Sequence, residues 1–347
     1  MKLLVIRFSA LGDVAMTVPV VDSLARAYPQ AEITVLSRSF MQPLFAHMPN
    51  NVHFYGVDLK QYKGLRGILR LFHELKHNGP YDAVADLHGV LRTQVLSFFF
   101  RLTGIRTIHI NKERRARKAL IRSKQKIRQQ LSTSFERYAD VFRRLGLSVR
   151  PTFRSIYGEG KGNVLLFSPL TGRPDNQTWI GFAPFAAHRG KQLPEATSQA
   201  LIRKLSARPN TRLFLFGGKS DAPLLEQWAE GQSGITVIAG RLKMEQELAL
   251  MSYLAVMCSM DSANMHLASL TGTPVVSVWG ATHPLAGFLG WQQQTENCVQ
   301  DNHLDCRPCS IFGNKPCMRG DYACLAHISP ENILQKIENI LTKSSHS

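Results

Sequence analysis

No stretch of the chain approaches the roughly 18 consecutive apolar residues of a membrane-spanning helix, so an integral membrane protein is not expected. The G-x-G-x-x-G fingerprint of nicotinamide-binding folds and the G-x-x-x-x-G-K-[ST] loop of nucleoside triphosphatases are both missing, which argues against hydride transfer and against nucleotide hydrolysis. Zinc-finger, RRM and helix-turn-helix signatures are missing as well, so nucleic acid is a poor candidate partner. Acids are scarce, 25 against 42 Lys and Arg, for a formal charge of +17. At the N-terminus, MKLLVIRF holds only a short apolar run, broken by Arg7 and followed by no small-residue cleavage site, so no secretory signal is expected. The chain reads as a soluble cytoplasmic protein, an expectation that rests on these absences.

What is present is a two-domain α/β chain. Its 347 residues exceed the usual single-domain size, and a 44% hydrophobic content is enough for two cores. Short Val-, Ile- and Leu-rich runs at 2–8, 32–37, 52–57, 81–87 and 105–110 alternate with amphipathic stretches, the pattern of parallel βαβ units. The text loosens over 151–178 into a turn-rich connector with one strand expected at Val164–Phe167. A second series then begins, with runs near residues 179, 212, 234, 254 and 274. Ser329 followed by Pro330 opens a closing amphipathic helix.

The positive charge is concentrated. Between Lys112 and Arg128 nine basic residues face the single acid Glu113, a density that should face water and seek an anionic partner. An anionic membrane surface fits better than nucleic acid, because the run lacks interleaved aromatics.

The segment MDSANMHLASLTGTPVVSVWGATHP, residues 260–284, is the most informative. An apolar strand runs into Asp261, a natural N-cap, and then into a helix bearing His266 on its first or second turn. The start of such a helix is an anion site, and Ser262 and Ala263 are small enough to admit a phosphate. One strand later, Thr282 and His283 make a polar turn at the same sheet edge, where open α/β folds bind ligands. Near the chain start, Gly12 lets backbone approach a ligand, and Asp13 is either a general base or the cap of the first helix, read as Val14–Tyr28.

Six cysteines form a separate puzzle. Cys306, Cys309, Cys317 and Cys324 follow C-x2-C-x7-C-x6-C, spacing open to a structural zinc site, to free thiols or to disulfides; a reducing cytosol favours zinc over disulfides.

Four motifs, SALGDVAMTVP at 9–19, KQLP at 191–194, MDSANMHLASLTGTP at 260–274 and VWGATHP at 278–284, resemble in order and spacing the ADP-heptose:lipopolysaccharide heptosyltransferases of glycosyltransferase family 9. The resemblance runs from residue 1 to about 343. It implies a GT-B fold of two Rossmann-like domains facing a cleft: an acceptor-binding domain at 1–155, a connector at 156–178, a nucleotide-sugar domain at 179–328, and a C-terminal helix at 329–347 packing back towards the first domain. It implies an inverting, metal-independent transfer of heptose or a related sugar from an ADP-sugar to the lipopolysaccharide inner core, at the cytoplasmic face of the inner membrane.

By position, Asp13 resembles the family's base and Lys191 the lysine on the donor diphosphate. Ala186, Ala187, Lys219, Leu242, Asp261, Ser262, Ala263, His266 and Thr282 fall at donor-binding positions. Ser9, Gly12, Lys60, Lys63, Arg66, Arg114, Arg115 and Arg117 are the acceptor-side candidates. The chain departs from the family pattern in having Ala186-Ala187 for two threonines, Ser262-Ala263 for Thr-Gly, and Lys219 where an acid can meet the ribose. A donor with another nucleotide, an epimerase on the same scaffold, and a basic nucleic-acid-binding protein are the alternatives to test.

Overall fold

A computed structural model describes residues 1–344; Ser345, His346 and Ser347, the end of the expected closing segment, lie outside the described residues. The chain divides into two compact units. Met1–Glu113 and Ser132–Ile156 form the first, and Arg114–Leu131 joins the chain from Tyr157 onward in the second.

The first unit is a parallel five-stranded sheet. Its strands are β1 (Lys2–Ile6), β2 (Glu32–Arg38), β3 (Val52–Val57), β4 (Ala83–Asp86) and β5 (Arg106–His109), in the order β3-β2-β1-β4-β5. β1 and β4 are covered on both faces, which is why LLVI and the AVA of β4 read as continuous apolar runs rather than alternating ones. Leu4, Ile6, Leu36, Leu71, Phe72, Leu75, Val84, Leu96 and Phe100 fill the core beneath helices Gly64–His77 and Leu91–Leu102.

The second unit is a parallel six-stranded sheet. β6 (Thr178–Ala183), β7 (Thr211–Leu215), β8 (Ile235–Val237), β9 (Val256–Met260), β10 (Val275–Trp279) and β11 (Cys298–Gln300) lie in the order β11-β10-β9-β6-β7-β8. In each sheet the strand order reverses next to the first strand, between β1 and β4 and between β6 and β9. Such switch points open a crevice at the carboxyl edge.

Several expectations are corrected. The single helix Val14–Tyr28 is two, Leu11–Ala15 and Val18–Ala27, because Pro19 has no N–H to donate to the Ala15 carbonyl and the helix restarts. Val164–Phe167 is not a strand: the Asn163 side chain accepts from Leu165 N–H at 3.0 Å and starts a 3₁₀ turn, Val164–Leu166, which leads into a short helix at Ser168–Thr171. The connector is anchored to the second unit, with Gly162 N–H donating to Ser252 Oγ at 2.9 Å and Tyr253 Oη donating to the Gly162 carbonyl at 3.0 Å. The basic segment from Arg114, placed by sequence in the first domain, belongs with the second unit. β11, three residues long, gave no pattern to read.

The closing helix Pro330–Ser344 begins as expected, with Asn332 N–H donating to Ser329 Oγ at 3.2 Å. Its Ile333, Ile337 and Ile340 enter the core of the second unit beside Leu201, Val276 and Val278. All four tryptophans, Trp179, Trp228, Trp279 and Trp291, lie in this unit, so their fluorescence reports its unfolding alone. Ile337→Ala, at a fully buried site, should cost about 2–5 kcal/mol in urea unfolding followed by tryptophan emission. A loss below about 1 kcal/mol would mean that the helix adds little to this core.

Candidate functional site

Because every strand of the first sheet runs the same way, the loops after β1, β3, β4 and β5 emerge at one edge. The loop after β1 carries Ser9, Gly12 and Asp13, and the loop and helix start after β3 carry the exposed Lys60, Lys63 and Arg66. Asp13 is not an N-cap. It is the third residue of helix Leu11–Ala15, and its Oδ2 accepts from Ala10 N–H at 3.1 Å and lies 2.7 Å from Arg7 Nη2. Arg7 is buried and donates through Nη1 to the Leu87 carbonyl at 2.6 Å, so the guanidinium is fixed and in turn fixes the carboxylate. Tyr138 Oη closes the arrangement by donating to the Asp13 carbonyl at 3.2 Å.

The turn after β4 adds residues that sequence reasoning passed over. Asp86, wholly buried, accepts from the N–H groups of His88 at 2.9 Å and Gly89 at 2.8 Å, and lies 2.9 Å from His109 Nδ1. Burial works to raise its carboxyl, but hydrogen bonds from His109, Gly89, Thr93 and His88 outweigh it and hold the group below its ordinary value. Gly89, at φ 57°, supplies the left-handed residue this turn requires. The result presents His88 with Nε2 3.3 Å from Ser9 Oγ. Burial, aided by Arg7 and Lys112, pushes the His88 imidazole down to about 4, so it is neutral at neutral pH. The available signal was a charged residue ending each of two otherwise apolar strands, Arg7 after β1 and Asp86 in β4.

The second sheet repeats the geometry with different chemistry. Ala186, Ala187 and Lys191 follow β6, Lys219 follows β7, Leu242 follows β8, Asp261 to His266 follow β9 and Thr282 follows β10, so all the expected donor-side positions share one edge. Three of them meet directly. Asp261, almost fully buried, lies 2.9 Å through Oδ2 from Lys191 Nζ and accepts from Thr282 Oγ1 at 2.7 Å.

Asp261 is thus not the helix cap. Ser262 occupies that position ahead of helix Ala263–Leu270, and its side chain makes no capping bond, resting 3.2 Å from Ser259 Oγ. His266 is buried on the second turn of this helix. Lys219 is exposed, and the nearby acid Asp221 is spent on its own loop, accepting from Gly218 N–H at 2.7 Å.

Arg307, also missed by sequence reasoning, sets this edge. It is buried and donates to the carbonyls of Gly280 at 2.5 Å, Trp279 at 3.1 Å and Thr282 at 3.0 Å, and to that of Asp301. The N–H groups of Cys309 and Ser310 reach the Ala281 carbonyl at 3.0 and 3.2 Å. The cysteine loop is therefore a brace behind the Thr282 turn.

The expected zinc set does not fit. Among the described residues no group of three or more His, Cys, Asp or Glu side chains is placed to hold a metal, and all six cysteines are free. Cys324 is buried in the core beside Leu325 and Ile328, and burial lifts its thiol to about 11 and raises Cys309 above its ordinary value.

The basic segment packs on this brace. Lys126 Nζ donates to the carbonyls of Asp305 at 3.1 Å, Cys306 at 2.7 Å and Pro308 at 2.9 Å, and Arg128 reaches that of Asp305 at 3.3 Å. Arg117 lies over the rings of Phe288 and Phe312 at 5.2 and 5.8 Å. Charge density that sequence alone assigns to solvent is in part spent on carbonyls and rings; Arg114 and Arg115 are exposed.

His283 accepts from Leu285 N–H at 3.1 Å, and burial with Arg307 and Arg128 lowers it, like His88, to about 4. Below its ordinary 6.5 each imidazole takes up a proton in the unfolded chain but not in the folded one until about 4. Stability should therefore be lost as pH falls through that window. A His88→Gln, His283→Gln double variant should lose less melting temperature between about pH 7.5 and 4.5 than the wild type. Parallel profiles would show that both histidines are charged in the folded protein.

The chain is 26% identical over 299 residues to lipopolysaccharide heptosyltransferase 3 of Escherichia coli, covering 83% of this chain and 85% of that protein. It is 26% identical over 309 residues to the lipopolysaccharide core heptosyltransferase OpsX of Haemophilus influenzae, covering 82% and 80%. Among solved structures, a family 9 glycosyltransferase from Veillonella parvula superposes with a TM-score of 0.76 at 20% identity, covering 99% of this chain and 97% of that one. The E. coli ADP-heptose heptosyltransferase II superposes at 0.70 and 18% identity, covering 99% and 100%. These matches identify a GT-B-like fold of two Rossmann-like lobes. The profile of glycosyltransferase family 9 (heptosyltransferase) matches residues 68–315, and the chain belongs to that family of sugar-transferring enzymes.

Proposed function

We propose that the enzyme transfers a heptose or related sugar, with inversion, from an ADP-sugar bound at the Lys191–Asp261–Thr282 edge to a phosphorylated inner-core glycolipid bound by the first unit, at the cytoplasmic face of an anionic membrane. The observation that carries this reading is the 2.9 Å pair of Lys191 with Asp261, set beside a helix start free of side-chain capping. A cation and unpaired N–H groups suit a diphosphate, and a buried carboxylate held by Thr282 suits sugar hydroxyls. The relatives named above for lipopolysaccharide and for ADP-heptose support the same substrates.

In the proposed reaction Asp13 takes the proton of the acceptor hydroxyl as its oxygen bonds to the anomeric carbon. The bond from that carbon to the diphosphate breaks, and the leaving phosphate's charge is met by Lys191 and the N-terminus of helix 263–270. Arg7 orients the base. Ser9 and Gly12 border it, and Lys60, Lys63 and Arg66 of the first unit, with the exposed Arg114 and Arg115 of the second, are proposed to meet acceptor phosphates, while Arg117 is taken up by the rings of Phe288 and Phe312. Ala186, Ala187, Lys219, Leu242, Ser262, Ala263 and His266 are proposed to line the donor.

Lys191→Ala should reduce kcat by about 10²–10³, the loss typical of one oriented transition-state donor. Asp13→Asn should lose at least as much, because the amide cannot accept the proton; turnover at saturating donor within about tenfold of wild type would remove Asp13 from this role. Calorimetry with ADP, UDP, GDP and their sugar conjugates should show selective ADP and ADP-heptose binding, with the ADP-heptose affinity falling in Asp261→Ala. Preference for another nucleotide would keep the transfer chemistry and overturn the heptose donor.

A further inference from the structure

Five of the large apolar side chains left exposed in the first unit, Leu65, Leu69, Leu91, Phe98 and Leu102, fall on just two helices, Gly64–His77 and Leu91–Leu102. These helices pack against each other, with Phe72 and Phe99 at 5.7 Å and Phe98 adjoining Phe99 at 6.1 Å. Leu65 and Leu69 are one turn apart on the first helix, and Leu69 precedes Phe72 by three residues. On the second, Leu91, Val95, Phe98 and Leu102 repeat at helical spacing. The exposed residues thus continue outward from the Phe72–Phe99 contact as one apolar strip crossing both helices.

The charge around this strip has one sign. The two helices contain Arg66, Arg70, Lys76, Arg92 and Arg101 against the single acid Glu74, which is occupied by Tyr62 Oη at 2.5 Å and by Arg70 at 3.6 Å. Lys60 and Lys63 add to it from the preceding loop, whose one acid is the exposed Asp58. A second copy of this chain would bring like cations together across a two-fold interface, whereas an anionic bilayer offers phosphates to the cations and hydrocarbon to the leucines and phenylalanines.

We infer that the face shared by helices Gly64–His77 and Leu91–Leu102 is the surface that seats the enzyme in an anionic lipid leaflet. No helix among the described residues is long and apolar enough to cross a membrane, so the seating is shallow. Both helices begin at the carboxyl edge of the sheet, where Asp13 lies, so a lipid-anchored acceptor held at this face has its head group on the side of the base. The inference rests on the glycolipid reading for its purpose, while its test needs no substrate.

The test is sedimentation with vesicles of phosphatidylcholine alone or with roughly 30% phosphatidylglycerol. Wild type should partition at least tenfold more strongly to the anionic vesicles, and added salt should weaken binding without abolishing it. Leu69→Ser, Phe98→Ser, Leu102→Ser should bind roughly tenfold or more weakly, with an unchanged melting temperature. Leu165→Ser, an exposed leucine of the second unit, should bind as wild type. Phe98→Ser alone serves where the triple variant loses its fold. Equal binding by the folded apolar variant and the wild type would overturn the inference. So would a wild-type dimer by light scattering that the same substitutions render monomeric, since the strip would then belong to a second copy.

Discussion

The ion pair between Lys191 and Asp261 is the constraint around which the second unit is arranged. Both groups are largely withdrawn from water, and desolvating two charges is repaid only when their geometry is tight and their remaining bonds are met. Tightness comes from backbone. A Cβ on Gly313 would sit 2.6 Å from Lys191 Cγ, one on Gly190 would sit 2.9 Å from the Gly313 carbonyl, and one on Gly280 would meet the Gly190 carbonyl at 2.6 Å. Three segments distant in sequence therefore close on the lysine stem, and Ala281 N–H locks them by donating to the Gly190 carbonyl at 2.8 Å. A lysine already desolvated and aimed can meet a developing phosphate charge with little rearrangement, the condition under which one cation contributes most.

The loop containing Cys306, Cys309 and Cys317 is joined to its neighbours by two cations. Arg307 stitches four backbone carbonyls from inside that loop, and Lys126 collects three more from outside it. Two cations thus satisfy seven acceptors. The positive charge that dominates this chain is partly structural.

The strands, their parallel direction and the edge on which the site lies were legible because they follow from local pattern: an apolar run, a turn, a small residue at a helix start. Asp13, Asp261 and Thr282 drew notice because each sits at such a turn, whereas Lys191 was singled out only by the resemblance of KQLP to the family's motif. What was hidden is pairing across distance. Nothing near Arg7 indicates that its partner carbonyl is Leu87, nothing near Asp86 points to His109, and the spacing of the cysteines says nothing of Arg307 reaching Gly280. Charge density at 112–128 fixes a need for counter-charge or acceptors but not which acceptors, so carbonyls of the second unit and a membrane read alike. The misread helix at 14–28 differs in kind, since Pro19 was in plain view and its missing N–H dictates the break.

The two sheets share a topology and diverge at their edges. In the first, a buried arginine holds an acid beside a histidine kept neutral by its surroundings, so the side chains that border Ser9 and Gly12 comprise one carboxylate and one uncharged imidazole. In the second, an acid holds a lysine beside an uncapped helix start. Each edge thus holds a pair of opposite charges, and the two are reversed: an arginine orients the acid in the first, a carboxylate orients the lysine in the second. In both cases the orienting residue is the more deeply buried of the pair, so its partner is the more accessible of the two. Substituting either orienting residue would leave a charge without its counter-charge, the costliest electrostatic change a partly buried site can undergo.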